Sequence, residues 1–230
     1  MEVTFDLIKL LREKTGAGIM DCKKALIGAE SFDNAIEYLE QNGKHIKSFK
    51  KDANEGIVHV CIGDKKAVII EVNCETDFAA RSIEFRSCVS LIAQKALELI
   101  KIEFDNFAKK ILLQTSSIIG EKVQIKRMEI LEGGDYGSYV HMGSQVGVVV
   151  QFKSSLGWCV DEEVGKNIAM HIVAFNPKYL DSSEITNSKD ALLEDCLLEQ
   201  KYLKDQTQTV LEYLNQKDIK IERFVRYQVK

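Results

Sequence analysis

Apolar residues in the first 43 positions recur three times with the spacing of an amphipathic helix. Each set occupies positions i, i+3, i+4 and i+7, which lie on one face of a helix: Thr4, Leu7, Ile8 and Leu11; Cys22, Ala25, Leu26 and Ala29; Phe32, Ala35, Ile36 and Leu39. Gly16 to Gly18 separates the first helix from the second, residues 28–31 separate the second from the third, and Asn42-Gly43 provides a left-handed stop. The sequence predicts a three-helix N-terminal domain over residues 1–43.

The next stretch, KHIKSFKK at residues 44–51, is rich in lysine and lies between two segments with more apolar patterning. It predicts a basic linker over residues 44–55. A basic arm for nucleic acid or membrane is the alternative interpretation, but so short a stretch in a chain of net charge −4 is a weak electrostatic footprint.

Beyond Gly56 the periodicity becomes that of strands, and two stretches resemble each other. Each holds a short strand, a glycine and a second apolar strand, and so predicts a hairpin: residues 56–59, Gly63 and residues 67–70 in the first, and residues 137–141, Gly143 and residues 147–150 in the second. We therefore expect two related halves.

One amphipathic helix is predicted after each hairpin: Phe85, Cys88, Val89, Ile92, Ala96 and Leu99 in the first half, and Val164, Ile168, Ile172 and Phe175 in the second. The first half closes with a strand around residues 123–125. The second closes with a helix holding Thr207, Val210, Leu211 and Leu214 and a strand over residues 219–229. Because strands and helices do not alternate strictly, we predict an α+β fold of antiparallel sheets covered by helices, divided into subdomain N (56–134) and subdomain C (135–230).

Composition excludes several classes of protein. With 230 residues, 45% of them hydrophobic, the chain can bury a core, and a prior of about 150 residues per domain allows one large or two modest domains. No apolar run approaches the roughly 18 residues of a membrane span, and the acidic start lacks the pattern of a secretory signal, so we expect a cytoplasmic protein. The net charge of −4 argues against nucleic acid as a direct partner.

The residues that carry chemistry form no recognisable catalytic or metal motif. The six cysteines show neither a C-x-x-C pair nor zinc-ligand spacing and are expected to be reduced thiols that fill apolar positions. Cys74 with His59 or His141 could form a nucleophilic pair, but inert packing is favoured, and His171 is expected to be a partly buried, hydrogen-bonded side chain. Phosphate-binding, dinucleotide and hydrolase motifs are absent, so we predict no enzyme, metal or cofactor.

One stretch resists an ordinary interpretation. After the apolar strand of residues 68–72 the chain runs NCETDFAAR, an acidic turn that leads with an aromatic side chain towards a helix. In one interpretation Thr76 or Asp77 is the N-cap of that helix and Phe78 folds inward as a hydrophobic staple. In the other, the turn presents Phe78 to the pocket of a partner.

Two long motifs, LREKTGAGIMDCKKAL at residues 11–26 and EVNCETDF at residues 71–78, resemble translation elongation factor Ts, the guanine nucleotide exchange factor of the GTPase elongation factor Tu. Further matches follow in order: IGEKVQIKR (119–127), GSYVHMG (137–143), NIAMHIVAFNP (167–177) and RFVRYQV (223–229). The resemblance implies a ubiquitin-associated-like N-terminal domain, a linker and a core of two α+β subdomains. It spans nearly the whole chain.

Two features common in that family are not expected here. The helical hairpin used in dimerisation precedes the last helix and strand, and the interval of residues 181–205 is too short to hold it. A module after the last strand is also common, whereas this chain stops at Lys230. We therefore expect a monomer that forms a one-to-one heterodimer with the GTPase.

The resemblance also implies a site. In the family the Thr-Asp-Phe loop inserts beside the nucleotide of the GDP-bound partner, displaces its Mg²⁺ and promotes GDP release so that GTP can bind, a role that falls here on Thr76, Asp77, Phe78 and Ala79. Secondary contacts are carried over to Met20, Lys23, Ile119, Gly120 and His141, each with packing or solvation as its alternative role. A non-enzymatic protein- or RNA-binding adaptor of the translation machinery is the alternative function.

Overall fold

The computed structural model of the chain describes residues 3–41, 52–154, 160–185 and 192–229. The predicted lysine-rich stretch at 44–51, the Asn42-Gly43 stop and Cys159 lie outside these ranges. Within them, none of the helices combines the length and hydropathy that crossing a bilayer requires.

The three predicted N-terminal helices are present as α1 (Phe5–Thr15), α2 (Ile19–Gly28) and α3 (Phe32–Gln41). Helix α1 begins where Thr4 Oγ1 accepts a hydrogen bond from Leu7 N, 3.3 Å away, and it ends at Gly16, which has a left-handed backbone with φ 68°. A small core of the predicted apolar side chains joins the helices: Ile8, Leu11, Cys22, Ala25, Leu26, Ala35 and Leu39, together with Ala17. The periodicity therefore identified this part of the chain correctly.

Subdomain N is a three-stranded antiparallel sheet with helices on one face. Its strands are β1 (Glu55–Ile62), β2 (Lys66–Cys74) and β3 (Gln124–Glu132), with β2 in the centre. Its helices are α4 (Asp77–Arg81), α5 (Ile83–Glu98) and α6 (Lys101–Ile119). The predicted hairpin, the helix after it and the closing strand are all confirmed.

Helix α6 was not predicted, because only one helix was assigned between the first hairpin and its third strand. Its side chains nevertheless carry a helical signal. Phe104 and Ala108 are buried, Ile111 and Leu112 pack against the same core, and the four occupy positions i, i+4, i+7 and i+8. Subdomain N thus has two long helices over its sheet.

Subdomain C repeats the arrangement of strands. The hairpin of β4 (Asp135–Val140) and β5 (Val146–Ser154) is followed by α7 (Glu162–Phe175), and the closing strand pairs with the second hairpin strand, as in subdomain N. Between α7 and that strand the described residues form three short 3-10 helices, a two-stranded sheet of β6 (Lys201–Tyr202) and β7 (Asp205–Thr209), and α8 (Val210–Gln216). The closing strand is β8 (Ile219–Gln228). The α+β class is confirmed.

The helix predicted to contain Thr207 begins only at Val210, so this placement of Thr207 was wrong. The Asp205 carboxylate accepts hydrogen bonds from Thr207 N at 3.0 Å and Thr207 Oγ1 at 2.6 Å, which holds Thr207 in β7. Thr209 then forms a capping box: its Oγ1 accepts from Glu212 N, and the Glu212 carboxylate accepts from Thr209 N. The T-x-x-E spacing marks this boundary in the sequence.

The two sheets pack against each other through the faces that the helices leave free. The apolar side chains at this contact are Val58, Ala67, Ile69, Leu131, Val149, Tyr227 and Val229. At its border the buried Glu71 carboxylate accepts a 2.6 Å hydrogen bond from Arg127 Nε, and Arg127 Nη2 donates to Gln228 O at 3.0 Å. Arg127 therefore ties β3 to β8 while neutralising a carboxylate that would be costly to bury unpaired.

Helix α7 approaches β4 unusually closely at two glycines. A Cβ atom on Gly137 would lie 2.5 Å from the Cα of Gly165, which is too close for any contact between carbon atoms. Since both partners are backbone, no side-chain rotation can relieve the overlap.

Replacing Gly137 by alanine should therefore push α7 away from its sheet. We expect Gly137→Ala to lower the free energy of unfolding by about 2 to 3 kcal/mol, measured by urea denaturation. Gly28→Ala is the matched control, because a Cβ there meets nothing within 4 Å and should leave the protein unchanged or slightly more stable. Equal stability of the two variants would contradict the close approach.

Candidate protein-binding site

The turn after β2 is organised around Thr76. Its Oγ1 accepts a hydrogen bond from Ala79 N at 3.2 Å, and Cys74 Sγ donates to its carbonyl oxygen at 3.2 Å. Thr76, rather than Asp77, is thus the N-cap of α4. Asp77 is the first residue of the helix, and its carboxylate lies 3.1 Å from the guanidinium of Arg81.

Phe78 points into solvent. Ala79 and Ala80 are buried in the core of subdomain N, whereas 82% of the Phe78 surface is exposed. With about 3.6 residues per turn, a helix that buries Ala79 and Ala80 must direct Phe78 to its outer side. The interpretation of Phe78 as an inward staple was therefore wrong, and Ala79, carried over with the loop, is a packing residue here.

A second anchor comes from the turn that follows α6. Glu121 Oε2 accepts hydrogen bonds from the backbone N of Glu75 at 3.1 Å and of Thr76 at 3.0 Å, and its Oε1 accepts from Thr76 Oγ1 at 2.6 Å. In return, the Glu75 carboxylate accepts from Lys122 N at 3.0 Å. The chain reverses into this turn at Gly120, whose φ of 79° lies in the left-handed region. These hydrogen bonds join the turn after β2 to the turn after α6.

The two secondary contacts predicted at the end of α6 have clear structural roles. Ile119 is half-buried against the core of subdomain N, and Gly120 caps the helix by donating its N–H to Ser116 O at 2.8 Å. The exposed apolar side chain at this helix end is instead Ile118, at 71%. Sequence reasoning missed Ile118, because the matched motif begins one residue later.

The N-terminal domain contacts the same end of α6. Ser117 Oγ donates a 3.2 Å hydrogen bond to Thr15 O, the last residue of α1. The loop after Thr15 leads directly into α2, where Met20 and Lys23 are both exposed, Met20 at 63%. Met20 and Lys23, the contacts predicted on α2, therefore follow a loop that lies next to the end of α6.

The remaining predicted contact, His141, is exposed at the end of β4. The turn after it is tied to β1 by Gln145 Nε2, which donates to Gly56 O at 3.0 Å. A depression lies between this turn and α4, and both contribute to its lining: Asp77, Ala80 and Arg81 from α4, and Gly143 and Gln145 from the turn. Residues from both subdomains therefore meet at one surface.

The geometry argues against a thiol nucleophile. Burial, followed by the charge of Glu121, raises the pKa of Cys74 to about 12, so the reactive thiolate is scarce at neutral pH. Across the sheet, Cys74 pairs with Glu55 of β1. His59 lies four residues beyond Glu55 on the same strand, which places it about 13 Å from Glu55 at roughly 3.3 Å per residue. The pair that a hydrolase would need is not assembled with His59.

His171 is a structural residue, as predicted. It is fully buried, its Nδ1 accepts from Leu203 N at 3.1 Å, and its Nε2 lies 2.8 Å from Gln200 Oε1. Because Nδ1 accepts a hydrogen bond, Nε2 carries the proton of a neutral imidazole. Burial also lowers the pKa of His171, which keeps the ring neutral.

A comparison with known protein families finds a match to the family described as Elongation factor TS. It covers residues 75–195 and 189–230, two overlapping segments that together exceed half of the chain. The match begins at Glu75 and so includes the Phe78 tip, Glu121 and the whole of subdomain C. In general, members of this family are nucleotide exchange factors for the GTPase elongation factor Tu, and they act by binding rather than by catalysing a chemical step. The chain belongs to the elongation factor Ts family.

Proposed function

We propose that this chain accelerates GDP release from elongation factor Tu by inserting the tip formed by Thr76, Asp77 and Phe78 beside the nucleotide. The observation that carries the proposal is the 82% exposure of Phe78 on a helical turn that is capped at its beginning and buried along one side. Aromatic side chains that enter a partner's pocket commonly dominate the binding energy of an interface. Ala79 supports the tip indirectly, because its side chain packs the turn into the core of subdomain N.

The target of the tip is the Mg²⁺ site of the GTPase. Such enzymes hold Mg²⁺ through a hydroxyl of the phosphate-binding loop and through phosphate oxygens, in a geometry that tolerates little distortion. A phenyl ring that displaces the adjoining elements by about an ångström disturbs several ligands together. Once Mg²⁺ leaves, the charge of the GDP phosphates is less well compensated, and GDP dissociates faster.

The driving force is differential binding. Exchange requires only that the chain bind the nucleotide-free GTPase more tightly than the GDP-bound form, and the coupling is reciprocal: GDP weakens the chain's binding by the same factor. No acid, base or nucleophile is needed, which is consistent with the inert environments of Cys74 and His171.

We assign the other exposed positions to secondary contacts with the same partner. Met20 and Lys23 would bind through the N-terminal domain, Ile118 at the end of α6, and His141 from subdomain C. This assignment is supported by the exposure of these side chains, which lie on elements next to one another around the tip.

The Phe78→Ala variant tests the proposal most directly. Because Phe78 is exposed, its truncation should leave the melting temperature nearly unchanged. Loss of an interface anchor is worth about 2 to 4 kcal/mol, so stimulated release of a fluorescent GDP from elongation factor Tu should slow roughly 30-fold to nearly 1,000-fold.

Ile102→Ala is the matched control for Phe78→Ala. Ile102 is 69% exposed but lies at the start of α6, about 24 Å along the helix from Ile118 at roughly 1.5 Å per residue. The control should exchange GDP at the wild-type rate. A stable Phe78→Ala protein with full activity would rule out the tip as the exchange element.

Removal of residues 1–43 tests the docking role of the N-terminal domain. The three helices have a core of their own, separate from those of the sheets, so the remaining chain should stay folded and its circular dichroism spectrum should lose only the helical signal of α1 to α3. Affinity for nucleotide-free elongation factor Tu, measured by calorimetry, should fall. Unfolding of the truncated chain would contradict the boundary, and undiminished affinity would contradict the docking role.

Sedimentation tests the expected stoichiometry. Between α7 and β7 the described residues form short 3-10 helices and β6, with no helical hairpin among them. We expect the free chain to sediment as a monomer of 26.0 kDa at micromolar concentration and to bind one GTPase. A stable species of twice that mass would contradict this expectation.

A further inference from the structure

We infer that Glu121 is a positioning residue for nucleotide exchange, because it holds the base of the tip so that Phe78 already projects outward before the partner binds. The inference rests on the proposed function. Glu121 is half-buried and directs both carboxylate oxygens at the turn after β2.

The backbone at this point needs an external acceptor. The last residue of β2 to pair with β1 is Cys74, so the N–H groups of Glu75 and Thr76 lie beyond the sheet, and they precede the first turn of α4. Buried or half-buried N–H groups are almost always satisfied. Glu121 accepts from both, across a separation of 45 residues or more in sequence, and so replaces the missing strand partner.

The geometry fixes an orientation as well as a position. The two N–H groups share Oε2 and the Thr76 hydroxyl donates to Oε1, so three donors from two consecutive residues meet one planar group. The same hydroxyl oxygen accepts from Ala79 N, which links the carboxylate to the N-cap. A rotation of α4 about its axis would break several of these hydrogen bonds at once.

Helix α4 depends on such anchors because it has only five residues. Isolated helices of that length are not stable in water. Burial of Ala79 and Ala80 holds one side of the turn, and Glu121 holds its beginning. If the second anchor is lost, the segment must be ordered during insertion, and that entropy opposes the step in which Phe78 acts.

Stimulated GDP release at increasing concentrations of the full-length chain tests this role. For Glu121→Ala we expect the maximal rate to fall about tenfold, as for the loss of a charged hydrogen-bonding group, with little change in the half-saturating concentration. A purely structural defect would lower the folded fraction instead. It would raise the half-saturating concentration, leave the maximal rate intact and overturn the inference.

Two conservative variants separate hydrogen bonding from charge. Glu121→Gln keeps the reach of the side chain and an oxygen acceptor, so it should recover most of the maximal rate. Glu121→Asp keeps the charge but is one methylene shorter, so it should resemble Glu121→Ala. The reverse order, an active Asp variant and an inactive Gln variant, would indicate a charge contact with the partner and overturn the positioning role. Glu103→Ala, an exposed glutamate in the first turn of α6, is the matched control.

Amide hydrogen exchange provides a readout that does not involve the GTPase. In Glu121→Ala the hydrogen-bonded amides of Glu75, Thr76 and Ala79 should exchange at least about tenfold faster, while those in the centre of β2 keep their protection. In the Phe78→Ala background the Glu121→Ala change should cause no further loss of stimulated release, since both act through one side chain.

The possible outcomes distinguish this inference from the proposed function. Full activity of Phe78→Ala would overturn both. An impaired Phe78→Ala protein combined with wild-type release and protection in Glu121→Ala would overturn the role of Glu121 alone.

Discussion

Strand β2 runs through the core with both of its faces covered, and the placement of the other elements follows from that burial. Val68, Ile70 and Val72 point towards the helices of subdomain N, whereas Ala67 and Ile69 point towards the sheet of subdomain C. Because side chains alternate along a strand, a shift of one residue would exchange these two sets. The hydrophobic pattern of β2 thus decides which of its faces packs against the helices and which packs against the second sheet.

The tip begins where β2 leaves the buried core. Beyond Cys74 the chain has left the sheet, so its backbone polar groups must find other partners, and Glu121 and the Thr76 cap provide them. Satisfying these groups at the surface fixes a short helical turn in one orientation. A backbone held this way loses little conformational entropy on binding, which would favour the proposed insertion of Phe78 into a partner.

Buried polar contacts set how the two subdomains are joined. The Glu71–Arg127 pair sits at the border between the sheets, and Arg127 also stacks over the ring of Tyr227, 4.2 Å from its centroid. Only the Glu71 side of this ion pair is buried, and a buried carboxylate needs a partner in a suitable geometry. The hydrogen bond from Gln145 Nε2 to Gly56 O likewise ties the turn after His141 to β1, so that turn too is attached to subdomain N.

The sequence by itself determined the elements whose signals are local: the N-terminal helices and both hairpins, and it narrowed the cap before α4 to Thr76 or Asp77. Periodicity and capping act over a few residues, and even the missed α6 and the misplaced start of α8 carry such signals at Phe104 to Leu112 and at Thr209-x-x-Glu212. The direction of Phe78 was different, because an inward staple and an outward tip share one sequence. Only the tertiary structure decided between them, since the burial of Ala79 and Ala80 and the hydrogen bonds from Glu121 depend on residues that are distant in the chain and meet only in the folded core.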